Sequence, residues 1–331
     1  MKKSYNLNTK LQISYQYMRT DEEIDISSDF HTFGYEDSPI TGKCNKFNAR
    51  KNEGVPLYIV QHHTVADYDR TVALFNANRG EEMWNFGSAH YVIRKDGVTN
   101  CMVNPEYRAY QAGAGHIVPY SKFNPTAQVT TNDLNSWSIG IENVNDGYSI
   151  FPKEQMYSNI LLMEGLVKTF HTINPKILLG HADWDPSRKC DPNPYFDWEL
   201  AANASERFEE IDHNFGVYPS SEYRYDSNEL ISGQNPDTAN YDDIKSVQDI
   251  LAEIGYNVFN EDKKNEGCYD LQTRNCVKAF KNHYLNTSVV KILEDVDIRE
   301  YEKYSDHHPF MIKVDDSSFE IMGEVADLFR G

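Results

Sequence analysis

The chain has 331 residues, a length that accommodates two ordinary domains or one large one. Its 51 acidic residues outnumber the 32 Lys and Arg residues, and the formal charge of -19 argues against sequence-independent binding to nucleic-acid phosphates or anionic lipid. With 40% hydrophobic and 25% charged residues, the composition is that of a folded protein. The sequence shows neither an apolar stretch long enough to span a membrane nor the apolar core of an export signal, so a cytoplasmic location is the default expectation.

The first half of the chain predicts strands that follow a polar start. Residues 1–50 are polar and aperiodic and are predicted to form an N-terminal extension. The short apolar run Leu57–Val60 predicts a buried strand. The strand-like runs Ser88–Ile93 and Val98–Val103 flank an Asp-Gly pair, which is typical of a β-hairpin. A long loop follows at 109–135, and in compact domains such loops are more often functional than idle.

Further strands alternate with a helix in the next segment. Ser138–Asn143 predicts a strand, and Ile177–Leu179 predicts another that ends at Gly180 and His181. Between them, after Pro152, apolar residues recur at helical spacing. These residues are Met156, Ile160, Met163, Val167 and Phe170. Strands interleaved with helices but containing a hairpin predict an α/β fold with a mixed central β-sheet flanked by helices.

The C-terminal part has a different pattern. Residues 214–239 collect Pro, Ser, Asn and Gly with little apolar periodicity, which predicts a linker. A helical stripe closed by Gly255 and a second stripe that starts after Asp270 predict a small helical domain at 240–290. Residues 291–331 are predicted to be a C-terminal extension whose last apolar stripe forms a helix.

Histidines at strand ends are candidates for metal ligands. His62 lies at the end of the first predicted core strand, and His181 follows the last one. Zinc hydrolases use three nitrogen or oxygen ligands plus water, and strands that end at one sheet edge can supply them. His63 is the alternative to His62, because adjacent side chains of a strand point to opposite faces and only one of the two can face a metal.

Four ordered motifs resemble the zinc-dependent N-acetylmuramoyl-L-alanine amidases (amidase type 2), a family that includes peptidoglycan recognition proteins. The resemblance covers about residues 55–200. It rests on the strand into His62-His63-Thr64, on Ser88–Ile93 with Asp96-Gly97, on Asn135 followed by Ser138–Glu142, and on Gly180-His181 through Arg188–Pro192 to Phe196-Asp197-Trp198. It implies the mixed-sheet fold and a zinc amidase domain at 51–213.

The resemblance implies that His62, His181 and Asp191 are the zinc ligands. His62 is favoured over His63 because the family ligand precedes a variable residue and then Thr or Ser. Cys190 is the alternative to Asp191, since some relatives use a thiolate, but the Arg-Lys-x-Asp-Pro register favours Asp191. His90 matches no ligand position of the family and is expected to pack or hydrogen-bond beneath the site.

Two further residues are implied to carry the chemistry. Glu142 would be the general base, because water activated for attack must lose a proton. Lys189 would stabilise the oxyanion that forms on the amide oxygen. Arg188 is a candidate for binding a stem-peptide carboxylate, with a structural salt bridge as the alternative.

The sequence departs from the family in two places, and both bear on the substrate rather than on the ligands. Gln111 follows Tyr110 where many relatives have Trp-His, and Asn193 stands where Gly is usual after Asp-Pro. Residues 240–290 resemble the small helical peptidoglycan-binding domain, although Lys281 replaces the usual Gln. A wall-binding module would keep the enzyme near its polymer.

Together these features predict a bacterial peptidoglycan hydrolase of cell wall degradation or recycling. The predicted reaction cleaves the amide between N-acetylmuramic acid, or its 1,6-anhydro form, and L-alanine of the stem peptide. The alternative is a non-catalytic peptidoglycan-binding or recognition protein. Relatives with an attached wall-binding domain tend to be exported, so a periplasmic or wall-associated location is the alternative to the cytoplasm.

Overall fold

The structure is a computed structural model that describes residues 46–51, 55–77, 87–113, 115–116, 118, 121–125, 133–224, 229–231, 240–293 and 309–331. The predicted N-terminal extension lies mostly outside these residues. In chain order the strands are β1 (Phe47–Asn48), β2 (Tyr58–His63), β3 (Tyr91–Ile93), β4 (Thr99–Cys101), β5 (Arg108–Ala109), β6 (Ser138–Asn143), β7 (Leu178–Gly180), β8 (Glu229–Ile231) and β9 (Val314–Asp315). The helices are α1 (Tyr68–Asn76), α2 (Lys153–Thr169), α3 (His181–Trp184), α4 (Trp198–Ala202), α5 (Ala204–Arg207), α6 (Tyr241–Ile254), α7 (Leu271–Tyr284), α8 (Asn286–Leu293), α9 (Pro309–Ile312) and α10 (Asp316–Arg330). In the described residues, no helix is long and apolar enough to cross a membrane.

A five-stranded sheet with the order β4-β3-β6-β2-β7 forms the centre of the fold. β6 lies between β2 and β3 and is parallel to both, whereas β3 and β4 form the predicted antiparallel hairpin. The predicted mixed sheet is therefore confirmed, and the strand at Ser138–Asn143 has the predicted bounds. The first core strand is longer than predicted, because it continues through His63.

The two faces of the central strands carry different residues. Gln61 and Asn143 bond to Asn159 of α2, with donor–acceptor distances of 3.0 and 2.9 Å. Because side chains alternate along a strand, His62 and Glu142 lie on the other face. These two residues are register partners in the parallel β2–β6 pair, so the sheet itself brings them side by side.

Several helices were absent from the sequence prediction, namely α1 and the shorter α3, α4, α5, α8 and α9. α1 begins after Asp67, whose carboxylate accepts the backbone N–H of Arg70 at 2.8 Å, as expected of an N-cap. Val72 and Phe75 are its buried apolar residues. The cap and this spacing were visible in the sequence and predict a short helix between β2 and β3.

Contacts divide the chain into two compact units. The first includes Asp133–Leu179 and Glu199–Gly216 together with the described residues up to Gly113. The second includes Gly180–Trp198, Val217–Gly331 and the described residues between 114 and 132. The domain limits predicted at 213, 239 and 290 stay predictions.

The second unit contains the predicted C-terminal helices. α6 ends at Gly255, whose φ of 144° lies in a region that favours glycine. α7 is capped by Asp270, which accepts the N–H of Thr273 at 2.9 Å. The last predicted helix is α10; its N-cap is Asp315, and Ser318 completes the capping box.

Candidate metal centre

Three side chains converge where the central strands end. His62 belongs to β2, and His181 directly follows β7, the neighbour of β2 in the sheet. Potential ligand atoms of His62, His181 and Asp191 all lie within 4.8 Å of one another, and all three residues are buried. The structure thus brings together the three residues that were predicted as ligands.

A short loop places Asp191 beside His181. The N–H of Ala182 donates to the backbone carbonyl of Asp191 at 2.9 Å, which joins the start of α3 to the residue at the far end of the loop. Nδ1 of His181 lies 3.1 Å from Oδ2 of Asp191. The loop therefore closes on itself and presents an imidazole and a carboxylate at the same point.

The start of this loop is anchored by a buried carboxylate. Asp183, which is 2% exposed, accepts the backbone N–H of Gly180 at 2.7 Å. It also accepts the Tyr256 hydroxyl at 2.6 Å and Nδ1–H of His283 at 2.8 Å. Burial and the negative charge of Asp183 hold the pKa of Tyr256 well above its usual range, so the phenol stays a donor. Three donors compensate the burial of this carboxylate.

His283 is itself fixed by aromatic packing. Its ring stacks between Trp198, at a centroid distance of 3.7 Å, and Tyr284, at 4.0 Å. His283, a residue of α7, thus holds Asp183, whose carboxylate accepts the backbone N–H of Gly180, the residue before His181. The sequence could not suggest this contact, because Asp183 and His283 are 100 residues apart.

The two histidines that were set aside as ligands have other surroundings. His63 is the neighbour of His62 in β2 and therefore points to the opposite face. His90 accepts the N–H of Gly140 through Nδ1 at 2.9 Å, and its Nε2 lies 3.0 Å from the carbonyl of Tyr107. Burial lowers the pKa of His90 to about 3, so this imidazole is neutral and structural, as predicted.

The remaining predicted residues lie on β6 and on the loop after α3. Glu142 is half-buried and is the register partner of His62. Lys189 is half-buried, and its backbone N–H donates to the carbonyl of Asp185 at 3.0 Å. Arg188 forms an ion pair with Asp185 at 2.8 Å, the structural alternative that the sequence left open. Its side chain is nevertheless 49% exposed, and its role toward substrate stays a prediction.

The donor set fits a metal ion. Two imidazoles and a carboxylate are a common ligand set of zinc hydrolases, which leave a fourth position for water. Ligand atoms about 2.1 Å from a tetrahedral ion lie about 3.4 Å apart. The potential ligand atoms of the three side chains lie within 4.8 Å of one another, which is close to that spacing.

The mixed α/β sheet and the His-His-Asp cluster at its edge both lie in the part of the chain that matches a known family. Residues 52–194 match the family described as N-acetylmuramoyl-L-alanine amidase. The chain is 26% identical over 242 residues to the N-acetylmuramoyl-L-alanine amidase AmiD of Escherichia coli K12. This alignment covers 69% of this chain and 75% of AmiD. It is 32% identical over 112 residues to the 1,6-anhydro-N-acetylmuramyl-L-alanine amidase AmpD of Haemophilus influenzae. This second alignment covers 34% of this chain and 55% of AmpD. The chain thus carries a domain of the N-acetylmuramoyl-L-alanine amidase family and is a homologue of AmiD and AmpD.

Solved structures show the same fold. The complex of Escherichia coli AmiD with anhydro-N-acetylmuramic acid-L-Ala-D-gamma-Glu-L-Lys superposes with a TM-score of 0.57 at 19% identity, over 85% of this chain and 92% of that one. AmpDh3 of Pseudomonas aeruginosa superposes with a TM-score of 0.53 at 18% identity, over 87% of this chain and 98% of that one. At these identities the likeness concerns the fold.

Proposed function

We propose that the protein is a zinc-dependent N-acetylmuramoyl-L-alanine amidase. It would cleave the amide between N-acetylmuramic acid, or its 1,6-anhydro form, and L-alanine of the peptidoglycan stem peptide. The observation that carries this proposal is the buried His62, His181 and Asp191 cluster, next to Glu142, within the residues that match the amidase family.

The reaction needs a group that moves protons, and we assign this role to Glu142. His62, Asp191 and His181 would hold zinc, which supplies an activated water and polarises the amide carbonyl. The carboxylate of Glu142 accepts the proton that the attacking water loses, and its position beside His62 in the β2–β6 register supports this role. The same carboxyl then returns the proton to the leaving nitrogen of L-alanine, so that the base is regenerated.

A cation is needed where negative charge develops on the amide oxygen. Lys189 lies two residues before the candidate ligand Asp191. Its backbone hydrogen bond to Asp185 holds it in the loop between α3 and Asp191. Its ammonium group would stabilise the oxyanion, and loss of one such donor typically costs about 10²- to 10³-fold in rate. Arg188 would contact a carboxylate of the stem peptide.

The C-terminal helices would add a peptidoglycan-binding surface. They lie in the region that resembles the small wall-binding domain, and the substrate of the AmiD complex is a muropeptide fragment. Such a surface would raise the local concentration of polymer around the catalytic domain. Muropeptides and peptidoglycan are therefore the expected ligands.

Incubation with intact sacculi, reducing-end muropeptides and anhydro-muropeptides tests the proposal. Release of free stem peptides that begin with L-Ala, detected by mass spectrometry, is the expected result, and the substrate that is cleaved fastest defines the preferred sugar. Glu142→Gln is the matched control, because it should bind zinc as the wild type does and release peptide about 10²- to 10⁴-fold more slowly. Binding to sacculi without cleavage by the zinc-loaded wild type would favour a recognition protein and overturn the proposal.

A further inference from the structure

Gln111 contacts the candidate ligand His62, although the sequence marked it only as a departure from the relatives. Its Oε1 lies 2.6 Å from Nε2 of His62. Gln111 is 9% exposed and His62 is 1% exposed. A hydrogen bond this short between two buried groups constrains which of the two imidazole nitrogens carries the proton.

The backbone at Gln111 is fixed by a single side chain. Oδ1 of Asn135 accepts the N–H of Gln111 at 3.0 Å and the N–H of Ala112 at 2.7 Å. Asn135 is itself buried, in the 3₁₀ turn that precedes β6. The loop that carries Gln111 is thus attached to the strand that carries Glu142.

Gly140 provides the space that Gln111 occupies. A Cβ atom at Gly140 would lie 2.6 Å from Cγ and 2.8 Å from Cδ of Gln111. Gly140 is on the same face of β6 as Ser138 and Glu142, because side chains alternate along the strand. The absence of a side chain at Gly140 therefore leaves the space that the Gln111 side chain occupies where it contacts His62.

The direction of these hydrogen bonds follows from the last acceptor in the series, the backbone carbonyl of Leu134. The hydroxyl of Ser138 donates to the carbonyl of Leu134 at 2.8 Å, and a carbonyl can only accept. Oγ of Ser138 has then used its one proton and can only accept the bond from Nε2 of Gln111 at 2.7 Å. The amide of Gln111 is thereby oriented with its oxygen toward His62, so Nε2 of His62 must be the donor.

We propose that Gln111 is a positioning residue that sets the tautomer of His62, with the proton on Nε2 and the lone pair on Nδ1 directed to the metal. A neutral imidazole has one donor and one acceptor nitrogen, and only the acceptor binds a metal. The relay from Leu134 through Ser138 and Gln111 fixes which nitrogen that is. The inference rests on the proposed metal centre but not on catalysis.

Three variants test it through zinc affinity and through the tautomer itself. Gln111→Leu removes the acceptor and is expected to weaken zinc binding by about 10- to 100-fold in a competition titration with a chromophoric chelator. Gln111→Glu keeps an acceptor for His62 and should retain most of the affinity. Gln155→Leu is the matched control, since the buried Gln155 bonds only to backbone carbonyls of Ile93 and Val144 in the described contacts; it should destabilise the fold without changing zinc affinity.

Nitrogen-15 NMR of histidine-labelled protein gives the second measurement. The His62 resonances, identified by their loss in His62→Ala, should show a protonated Nε2 in the metal-free wild type and metal on Nδ1 after zinc is added. Unchanged zinc affinity in Gln111→Leu, or a proton on Nδ1 of His62 in the metal-free wild type, would overturn the proposal. Both readouts are independent of turnover, so a protein that shows these signals but cleaves no muropeptide refutes the proposed function and leaves this inference standing.

Discussion

Replacing His283 by Phe should loosen the loop that carries two of the three candidate ligands. The phenyl ring can keep the stacking between Trp198 and Tyr284 but removes the N–H that bonds to Asp183 at 2.8 Å. Asp183 would then retain two of the three donors described above. We expect the free energy of unfolding to fall by about 2–4 kcal/mol, because removing one partner of a buried hydrogen-bonded carboxylate leaves part of its desolvation uncompensated.

The effect should extend to the metal. Asp183 also bonds to the N–H of Gly180, the residue before His181, so a displaced carboxylate shifts the peptide that orients this ligand. Loss of a supporting hydrogen bond around a metal site commonly costs about 10- to 100-fold in affinity. We therefore expect zinc to dissociate at least 10-fold more readily from His283→Phe than from the wild type.

Urea unfolding in the presence of a chelator measures stability without the contribution of bound metal, and a separate chelator competition measures zinc affinity. His213→Phe is a suitable control, because His213 pairs with Glu164 at 3.1 Å but is 35% exposed; its loss should cost less than about 1 kcal/mol and leave zinc affinity unchanged. If His283→Phe bound zinc as tightly as the wild type, the anchoring of His181 through Asp183 would be wrong.

Three other substitutions test the general base Glu142, the space at Gly140 that Gln111 occupies, and the buried Lys281. Glu142→Gln should lower kcat by about 10²- to 10⁴-fold with little change in zinc content, measured by muropeptide release and metal analysis; normal turnover would exclude it as the base. Gly140→Ala should displace Gln111 and weaken zinc binding, which a chelator competition would detect; unchanged affinity would mean that Gln111 can shift without consequence. Burial lowers the pKa of Lys281 from its ordinary 10.5 to about 7. Between these pH values the unfolded chain binds a proton that the folded chain does not, so stability should rise with pH by up to about 1.4 kcal/mol per unit. Urea midpoints at pH 7, 8 and 9 check this; Lys281→Met should flatten the slope, and an equal slope in both proteins would refute the assignment.

The local patterns of the sequence predicted most of the central sheet. Alternation and apolar runs located β6 with its correct bounds, and the Asp-Gly pair located the β3–β4 hairpin. Helical periodicity after Pro152 predicted α2, which spans Lys153–Thr169. These elements depend on interactions between near neighbours, which a sequence displays directly. α1 was missed although Asp67 marked its start, because its short apolar stripe was weaker than those of the longer helices.

The candidate ligands were predicted from motifs, whereas the groups that support them were not. His62 and Glu142 are adjacent only because β2 and β6 pair in a particular register, and a sequence does not state strand register. Gln111 was noticed as an exception to the family pattern, but its role depends on a gap at Gly140 in a strand that follows it by 29 positions. Such contacts become visible only when the chain is folded.

The buried hydrogen bonds around the metal centre end at backbone groups that can act only as a donor or only as an acceptor. Each chain of hydrogen bonds ends at a group with only one option: the carbonyl of Leu134 can only accept, and the backbone N–H of Gly180 can only donate. From these fixed ends the direction of every bond follows, through Ser138 and Gln111 to His62 in one case and directly to Asp183 in the other. Backbone groups cannot change their protonation state in the range where side chains titrate. In the arrangement proposed above, the orientation of His62 is thus set by the polypeptide itself before any metal binds, and a ligand held in this way loses less conformational entropy on binding than one that is free to rotate.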